Sequence, residues 1–166
     1  MLNNNKKYGR YLIEEYQPAQ DWYKKPNSRE WIERNIPTLH ELLEKGYGKL
    51  HSGVYCILLN DVPVYVGEAL KLYDRLKVHA HNLYRKPLDY FGVEEEEINS
   101  SKVKIQVKIL KEDLPRENLR KENELLWIKK LKPLLQKNDG TDLCIPRRNR
   151  RKVIEKELIS KQNVAI

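Results

Sequence analysis

The chain has 166 residues, a formal net charge of +8 and 34% charged residues. This length fits one compact domain with extensions, and the charge favours a polyanionic partner, either a nucleic acid or an anionic membrane. The two cysteines, Cys56 and Cys144, have neither metal-type spacing nor the number needed for a disulfide framework. No apolar run is long enough to span a bilayer, and the first residues contain no apolar core of a signal peptide. We therefore expect a cytoplasmic protein without a membrane partner.

Residues 1–50 are predicted to form an amino-terminal extension that is rich in aromatic side chains and interrupted by prolines. Short helices are predicted over residues 27–35 and 38–45. Thr38 and Glu41 have the spacing of a capping box, and Gly46 is a suitable end for the second helix. The aromatic side chains could stack on bases or pack against the rest of the chain, and we favour packing.

Residues 53–67 have the pattern of two short strands joined by a tight turn. The run is rich in valine and isoleucine, and Asn60 and Asp61 tolerate the left-handed backbone of such a turn. The first strand carries Tyr55 and the second carries Tyr65. Taken alone, each tyrosine is explained by ordinary packing in a sheet.

Residues 68–84 are predicted to form a helix, because leucine and alanine side chains recur at helical spacing. Lys71, Arg75 and His79 lie one helical turn apart along the border of that apolar stripe. A cation in this position can be aimed at a ligand, and the planar guanidinium of Arg75 matches phosphate oxygens best. The other basic side chains of this region are interpreted as contacts to a nucleic-acid backbone: Lys77, His81, Arg85 and Lys86.

The next segments are predicted to be a loop and a third strand. The loop covers residues 85–101 and carries an acidic run, residues 94–97, which we expect on a solvated surface. Residues 102–110 alternate between apolar and polar side chains, which is typical of a strand. Because the polar face contains lysines and a glutamine, we expect that face to be wet and helices to cover mainly the other side of the sheet.

A second long helix is predicted over residues 117–131, and it places a carboxylate within its own apolar stripe. Trp127, Ile128 and Leu131 follow Glu124 at helical spacing and lie on the same face. An unpaired buried carboxylate is costly, so Glu124 should meet a cation, a metal ion or hydrogen-bond donors. A buried ion pair and a functional site both explain this position.

The segment from residue 141 onward is predicted to be a basic tail that contains a short helix. Its cations suit contacts with phosphate groups, which carry little sequence information, and a merely solubilising role is the alternative. The basic cluster consists of Arg147, Arg148, Arg150, Arg151 and Lys152.

These segments together resemble the GIY-YIG nuclease family, and most closely the catalytic domains of phage homing endonucleases. The similarity covers about residues 51–140. Val54 and Val66 stand where the family has isoleucine. The motifs that carry the resemblance are Gly-Val-Tyr at residues 53–55, Val-Tyr-Val-Gly at 64–67, Arg75 and His79, Glu124 in Glu-Leu-Leu-Trp-Ile, Pro133 and Asn138.

The resemblance implies a small α/β domain with a three-stranded antiparallel sheet flanked by helices. It divides the chain into a helical extension (residues 1–50), the nuclease domain (residues 51–140) and the basic tail (residues 141–166). It also implies that the protein hydrolyses phosphodiester bonds of DNA with Mg²⁺ or Mn²⁺ as cofactor.

The same resemblance gives roles to the tyrosines and the arginine. Tyr55 corresponds to the proposed general base for the attacking water, and Tyr65 helps to position water or phosphate. Arg75 stabilises the phosphate. A free tyrosine is a weak base at neutral pH, so we expect Arg75, Lys71 and a metal ion to lower the pKa of Tyr55.

The remaining roles concern the metal and the end of the motif. Glu124 corresponds to the carboxylate that holds a single divalent ion. His79 matches a histidine that some members have, and Asn138 matches an asparagine near the end of the motif. One carboxylate is a sparse site for Mg²⁺, so waters and the phosphate would complete its coordination.

Two alternatives concern how the domain is used. The chain could be a nucleic-acid-binding module that keeps the fold without catalysis, or a catalytic domain that a partner brings to its target. One active site cuts one strand, so a double-strand break needs either a homodimer or two successive events.

Overall fold

The computed structural model describes residues 36–136 and 145–159. Three strands, β1 (Gly53–Leu59), β2 (Val62–Ala69) and β3 (Ile105–Glu112), form an antiparallel sheet in the order β2-β1-β3. This confirms the predicted α/β class with a three-stranded antiparallel sheet. The described helices are α1 (Leu39–Glu44), α2 (Leu72–Arg85), α3 (Pro87–Phe91), α4 (Glu95–Asn99), α5 (Glu117–Leu131) and α6 (Arg147–Ile154), which continues into a π-helical turn (Glu155–Ile159).

The hairpin of β1 and β2 forms as the sequence predicts. Asn60 and Asp61 have φ values of 48° and 70°, the left-handed conformation that these residue types tolerate. The Asn60 side chain donates to the Lys102 carbonyl at 3.0 Å and accepts from the Lys104 amide at 2.7 Å, which ties the turn to the start of β3. Every residue of β1 is buried, so both faces of the central strand are covered.

The expectation of a wet face on the third strand is wrong. Gln106 and Lys108 are only 1% and 2% exposed. The buried side chain of Gln106 finds its hydrogen-bond partners within the protein. It accepts from the Asp61 amide and donates to the Asp61 carboxylate, both at 2.8 Å. Lys108 lies opposite Cys56 of the fully buried β1. The polar side chains of β3 are therefore enclosed because the central strand is covered on both faces.

The segments around α2 differ from the prediction in two ways. The helix predicted from residue 68 begins only after β2 ends. The predicted loop over residues 85–101 contains α3 and α4. Pro87 fits the first turn of α3, and Gly92 ends it with a φ of 70°. Glu94 and Glu97 form a capping box at the start of α4.

The segment from residue 36 onward packs against the rest of the domain. Leu42 and Tyr47 have no exposed surface and belong to the main hydrophobic cluster. Helix α1 forms as predicted: the Thr38 hydroxyl accepts from the Glu41 amide at 3.1 Å, and Gly46 follows the helix with a φ of 66°. The helix predicted over residues 27–35, and the aromatic residues that precede it, lie outside the described residues.

Both outer strands of the sheet have further chain segments beside them. Residues 134–136 run along β2, where two backbone amides donate to β2 carbonyls and the Gln136 side chain bonds both the amide and the carbonyl of Val66. Beside β3, the Val107 amide donates to the Pro37 carbonyl at 3.0 Å. Each outer strand thus uses part of its edge to hold a flanking segment.

Helix α5 has the predicted bounds and the predicted buried face. Glu124, Ile128 and Leu131 are buried together on it, with Arg120 one turn earlier. Arg120 donates to the Glu68 carboxylate of β2 at 2.6 Å, which fastens α5 to the sheet. None of the helices that the structure describes has the length and apolarity needed to cross a membrane.

Candidate active site

The two tyrosines of the hairpin and the histidine of α2 meet in one cluster. The Tyr55 hydroxyl lies 2.6 Å from His79 Nε2. The Tyr65 ring lies beside both, with centroid distances of 6.3 Å to Tyr55 and 5.2 Å to His79. Three of the predicted site residues are therefore neighbours, supplied by β1, β2 and α2.

Gly67 makes the close packing of this cluster possible. It lies opposite Tyr55 in the β1–β2 register. A Cβ atom at Gly67 would lie 2.5 Å from the Tyr55 hydroxyl and 2.8 Å from Cε1 of Tyr65. A side chain here would push the two tyrosine rings apart, so the last glycine of the second motif has a steric role at the site.

His79 is buried and has a hydrogen-bond partner at each ring nitrogen. Nε2 meets Tyr55, and Nδ1 lies 2.5 Å from the hydroxyl of Tyr90. Burial lowers the pKa of His79 to about 4, and the positive charge of Arg75 acts in the same direction. At neutral pH the imidazole is thus uncharged, with one nitrogen that donates and one that accepts.

Tyr55 is neutral as well, because the lowering of its pKa expected from Arg75 is smaller than the effect of burial, while the lowering expected from a bound metal ion stays a prediction. Its side chain has no exposed surface. Burial raises the pKa of Tyr55 well above its usual range, and Tyr65, Tyr90 and Glu124 add to that rise. Arg75 opposes it without outweighing it. The burial of the hydroxyl on a fully covered strand is the physical reason for the difference.

The charges of Arg75 on α2 and Glu124 on α5 both act on Tyr55. The Arg75 side chain is exposed on α2, whereas Glu124 is only 7% exposed on α5. Both charges act on Tyr55, since Arg75 lowers its pKa and Glu124 raises it. A cation at the surface and a buried carboxylate are therefore both close enough to influence the charge state of Tyr55. Lys71, at the start of α2, is exposed.

Other predicted site residues lie away from this cluster or outside the described part of the chain. Asn138 lies outside the described residues. The proposed backbone contacts on α2 and directly after it are exposed, as a surface for DNA requires, and their role stays a prediction. These residues are Lys77, His81, Arg85 and Lys86.

Two arginines of the basic tail are exposed to solvent, and two others are held by hydrogen bonds within the protein. Arg147 and Arg148 are exposed. Arg150 donates to the carbonyls of Ile145 and Tyr90 at 2.8 and 2.6 Å. The predicted DNA contact of Arg150 therefore competes with bonds that hold α6 to α3.

Arg151 is anchored in the same way, and it changes the interpretation of the acidic run. It contacts Glu97 at 2.6 Å and donates to the Gly92 carbonyl at 3.0 Å. Burial alone would raise the pKa of Glu97, but the hydrogen bond and charge of Arg151 lower it overall. The expectation of a wholly solvated acidic run is wrong at Glu97, which is buried because Arg151 neutralises it.

Two places offer ligands for a metal ion. The buried carboxylate of Glu124 offers oxygen ligands, which suit an ion such as Mg²⁺ that prefers oxygen and keeps several waters. Elsewhere, His51 Nδ1 lies 3.1 Å from Glu112 and 3.4 Å from Asp113. Among the residues that the structure describes, these three form a group whose ligand atoms all lie within 4.8 Å of one another.

Sequence reasoning missed this histidine–carboxylate group and Tyr90. His51 precedes β1, whereas Glu112 ends β3 and Asp113 follows it, so only the strand pairing brings them together. Tyr90 lies in the segment predicted as a loop, and no spacing pattern in the sequence marks it.

Comparison of the chain with protein-family models, with curated proteins and with solved structures finds no match in any of the three. The motif resemblance and the geometry of the aromatic cluster are therefore the grounds for a functional assignment.

Proposed function

We propose that the protein is a divalent-metal-dependent DNA endonuclease of the GIY-YIG type that hydrolyses phosphodiester bonds. The observation that carries the proposal is the contact among motif residues of β1, β2 and α2, together with two charged motif residues of α2 and α5 that act on Tyr55. These residues are Tyr55, Tyr65, His79, Arg75 and Glu124.

Arg75 supplies the positive charge for the phosphate. Its guanidinium is exposed beside a buried cluster, so it can bind a phosphodiester while the rest of the site stays dry. Donors placed where negative charge develops stabilise the transition state of phosphoryl transfer. The half-buried Tyr65 hydroxyl is placed to orient the phosphate or the attacking water.

Glu124 would hold the metal. Its carboxylate lies on the buried face of α5, and its charge acts on Tyr55. When bound, Mg²⁺ or Mn²⁺ supplies charge neutralisation for the phosphate and the leaving oxygen. Because Glu124 is one ligand, affinity for the ion in the absence of DNA should be weak.

Tyr55 and His79 together can remove a proton from water. Tyr55 is not ionised, so it accepts a proton only while it passes its own to His79 Nε2, 2.6 Å away. The water oxygen bonds to phosphorus as the bond to the leaving oxygen breaks. The leaving oxygen takes a proton from solvent, and His79 later returns its extra proton to solvent. Because Tyr55 is covered, side chains above it must move to admit the water.

The second candidate is a nucleic-acid-binding module with the same fold and no catalysis. The full burial of the Tyr55 hydroxyl favours it, since no surface of that side chain meets solvent. In both cases the partner is DNA, bound through exposed cations of α2 and the tail, in keeping with a net charge of +8. Cleavage of both strands would require a homodimer or two events.

The test is cleavage of supercoiled plasmid DNA by the full chain with Mg²⁺ or Mn²⁺. Glu124→Gln should lower the rate by about 1,000-fold or more, because the metal and its charge are lost. DNA binding in a gel-shift assay should change little. Glu112→Gln is the matched control, since it removes a buried carboxylate from the other candidate metal group, and it should cleave like the wild type.

Two outcomes would contradict the proposal. A wild-type chain that binds DNA but leaves it uncut with either ion would establish the binding-module alternative. Loss of cleavage in Glu112→Gln, with Glu124→Gln active, would place the metal at the His51 group.

A further inference from the structure

We propose that Tyr90 is a positioning residue of this site: its hydroxyl accepts the Nδ1 proton of His79 and so stabilises the tautomer in which Nε2 accepts from Tyr55, and Arg150 holds Tyr90 in place. The inference deepens the proposed function and rests on it for its catalytic consequence. Tyr90 belongs to none of the motifs that the sequence revealed.

Both ring nitrogens of His79 have a hydrogen-bond partner. His79 is 4% exposed, and both of its nitrogens face tyrosine hydroxyls, Tyr55 at 2.6 Å and Tyr90 at 2.5 Å. A neutral imidazole carries one proton, so one nitrogen donates while the other accepts. The two tyrosines therefore compete to decide which nitrogen carries the proton.

Burial decides the direction of these hydrogen bonds. Tyr55 has no exposed surface, and among the described residues its hydroxyl bonds only to His79. A buried O–H without an acceptor is costly, so Tyr55 donates to Nε2. The imidazole proton then sits on Nδ1 and is donated to Tyr90. Only this tautomer leaves Nε2 able to take the proton of Tyr55 during the proposed reaction.

The basic tail holds Tyr90 in place through Arg150. Helix α3 has only five residues, and the Tyr90 ring stacks on Phe91 with a centroid distance of 4.6 Å. Arg150 donates to the Tyr90 and Asp89 carbonyls at 2.6 and 3.2 Å and to the Ile145 carbonyl at 2.8 Å. Carbonyls at a helix end lack intrahelical donors, so the guanidinium completes α3 and ties it to α6.

Gly92 lets the tail come close enough to do this. A Cβ atom at Gly92 would lie 2.6 Å from the backbone carbonyl carbon of Arg150. The backbone of α6 thus packs directly on the end of α3. Arg150, interpreted from sequence as a DNA contact, instead has the placement of a brace for Tyr90.

The direct test is ¹⁵N NMR of the imidazole rings in the full chain, without DNA or metal. The chain has four histidines, and His79→Gln identifies the signal of His79. The wild type should show a protonated Nδ1 and a bare Nε2. Tyr90→Phe should lose this preference and move the proton wholly or partly to Nε2. Tyr84→Phe is the matched control, because Tyr84 is 87% exposed on α2, and it should leave the signal unchanged.

The brace is tested by Arg150→Met, which keeps an apolar stem but removes the donors. It should shift the His79 signal in the same direction as Tyr90→Phe, by a smaller amount. Lys156→Met, an exposed cation just after α6, is its control and should have no effect. If Tyr90→Phe does not fold, Arg150→Met still provides the readout.

Cleavage adds a second readout. Tyr90→Phe should lower kcat by about tenfold, the usual consequence of losing one hydrogen bond, while KM stays within about twofold. An unchanged His79 signal in Tyr90→Phe, or a wild type protonated on Nε2, overturns the inference even if the protein cuts DNA. A shifted signal in a protein that never cuts DNA supports the Tyr90–His79 coupling and removes the nuclease proposal alone.

Discussion

The two faces of strand β1 both bury ionisable side chains, but they satisfy them differently. On one face, Tyr55 joins His79 and Tyr90 in a chain of short hydrogen bonds. On the other, Cys56 lies opposite Lys108, and burial raises the pKa of the thiol while it lowers that of the amine to about 6. Perturbed pKa values therefore occur on both faces. What distinguishes the first face is the convergence of hydrogen bonds with an exposed arginine and a buried carboxylate.

This difference shows what a shifted pKa can establish. Desolvation acts on every buried ionisable group, whether or not chemistry happens there. Lys108 is enclosed because β3 has both faces covered, and no motif residue lies opposite it. A functional assignment needs the geometry of several groups together, which only the Tyr55 face provides.

The largest effect expected from this contrast is that of Tyr55→Phe. It removes the hydroxyl that we propose transfers the proton, so the cleavage rate should fall by about 1,000-fold, within the usual contribution of general acid–base catalysis. Cys56→Ala, the neighbouring change on the opposite face, should cost about 1 kcal/mol of stability and leave cleavage near the wild-type rate. Plasmid cleavage and urea unfolding of both variants check this. Cleavage within tenfold of wild type in Tyr55→Phe would show that this face is structural.

A smaller loss is expected from Arg75→Ala. Without the guanidinium, the phosphate loses its charged donor, and kcat should fall by about 100-fold. Lys77→Ala removes an exposed cation from the same helix, and it should weaken DNA binding slightly without changing kcat. Cleavage kinetics over a range of DNA concentrations separate the two effects. Equal changes in kcat would mean that Arg75 is only part of a general basic surface.

The smallest expected effect is on stability and not on cleavage. It comes from the face of β1 that carries Cys56, where a substitution should stabilise the protein. The amine of Lys108 has a pKa near 10.5 when unfolded and about 6 in the fold, so the unfolded chain holds more protons between these values. Stability is therefore lost as the pH falls from about 10 to 6, by about 1.4 kcal/mol per pH unit for one proton. Lys108→Met should remove this slope and stabilise the protein at pH 7.

The control for Lys108→Met is Lys111→Met, since Lys111 is exposed on the same strand. Urea unfolding at pH 7 and pH 9 measures both variants. Identical pH slopes in the two would mean that the amine of Lys108 stays protonated in the fold. Cleavage should be unchanged in Lys108→Met, in contrast to the Tyr55 face.

Local sequence patterns were sufficient to predict the parts of the site that lie on the β1–β2 hairpin and on helix α5. The alternation and turn residues of the hairpin, and the helical spacing around Glu124, depend on neighbours in sequence. They predicted β1, β2, the left-handed turn and the buried carboxylate, and the structure agrees. Glu124 was noticeable because it is one charge in an otherwise apolar stripe.

The remaining features depend on contacts between distant segments. The burial of Gln106 and Lys108 follows from the cover over the whole sheet, which alternation within one strand cannot reveal. Helices α3 and α4 have five residues each, too few for a periodic pattern to appear. Tyr90 and its brace, Arg150, are separated along the chain by the third strand and α5. Their contact is a property of the tertiary structure alone.

The flanking segments on the sheet have a consequence for assembly. Residues 134–136 occupy part of the β2 edge, and Pro37 occupies part of the β3 edge. Along these stretches, a strand from another copy finds few backbone groups left to pair with, which protects the sheet against edge-to-edge aggregation. If the proposed nuclease acts as two copies on one duplex, contact between the copies would therefore avoid these stretches of the sheet edges.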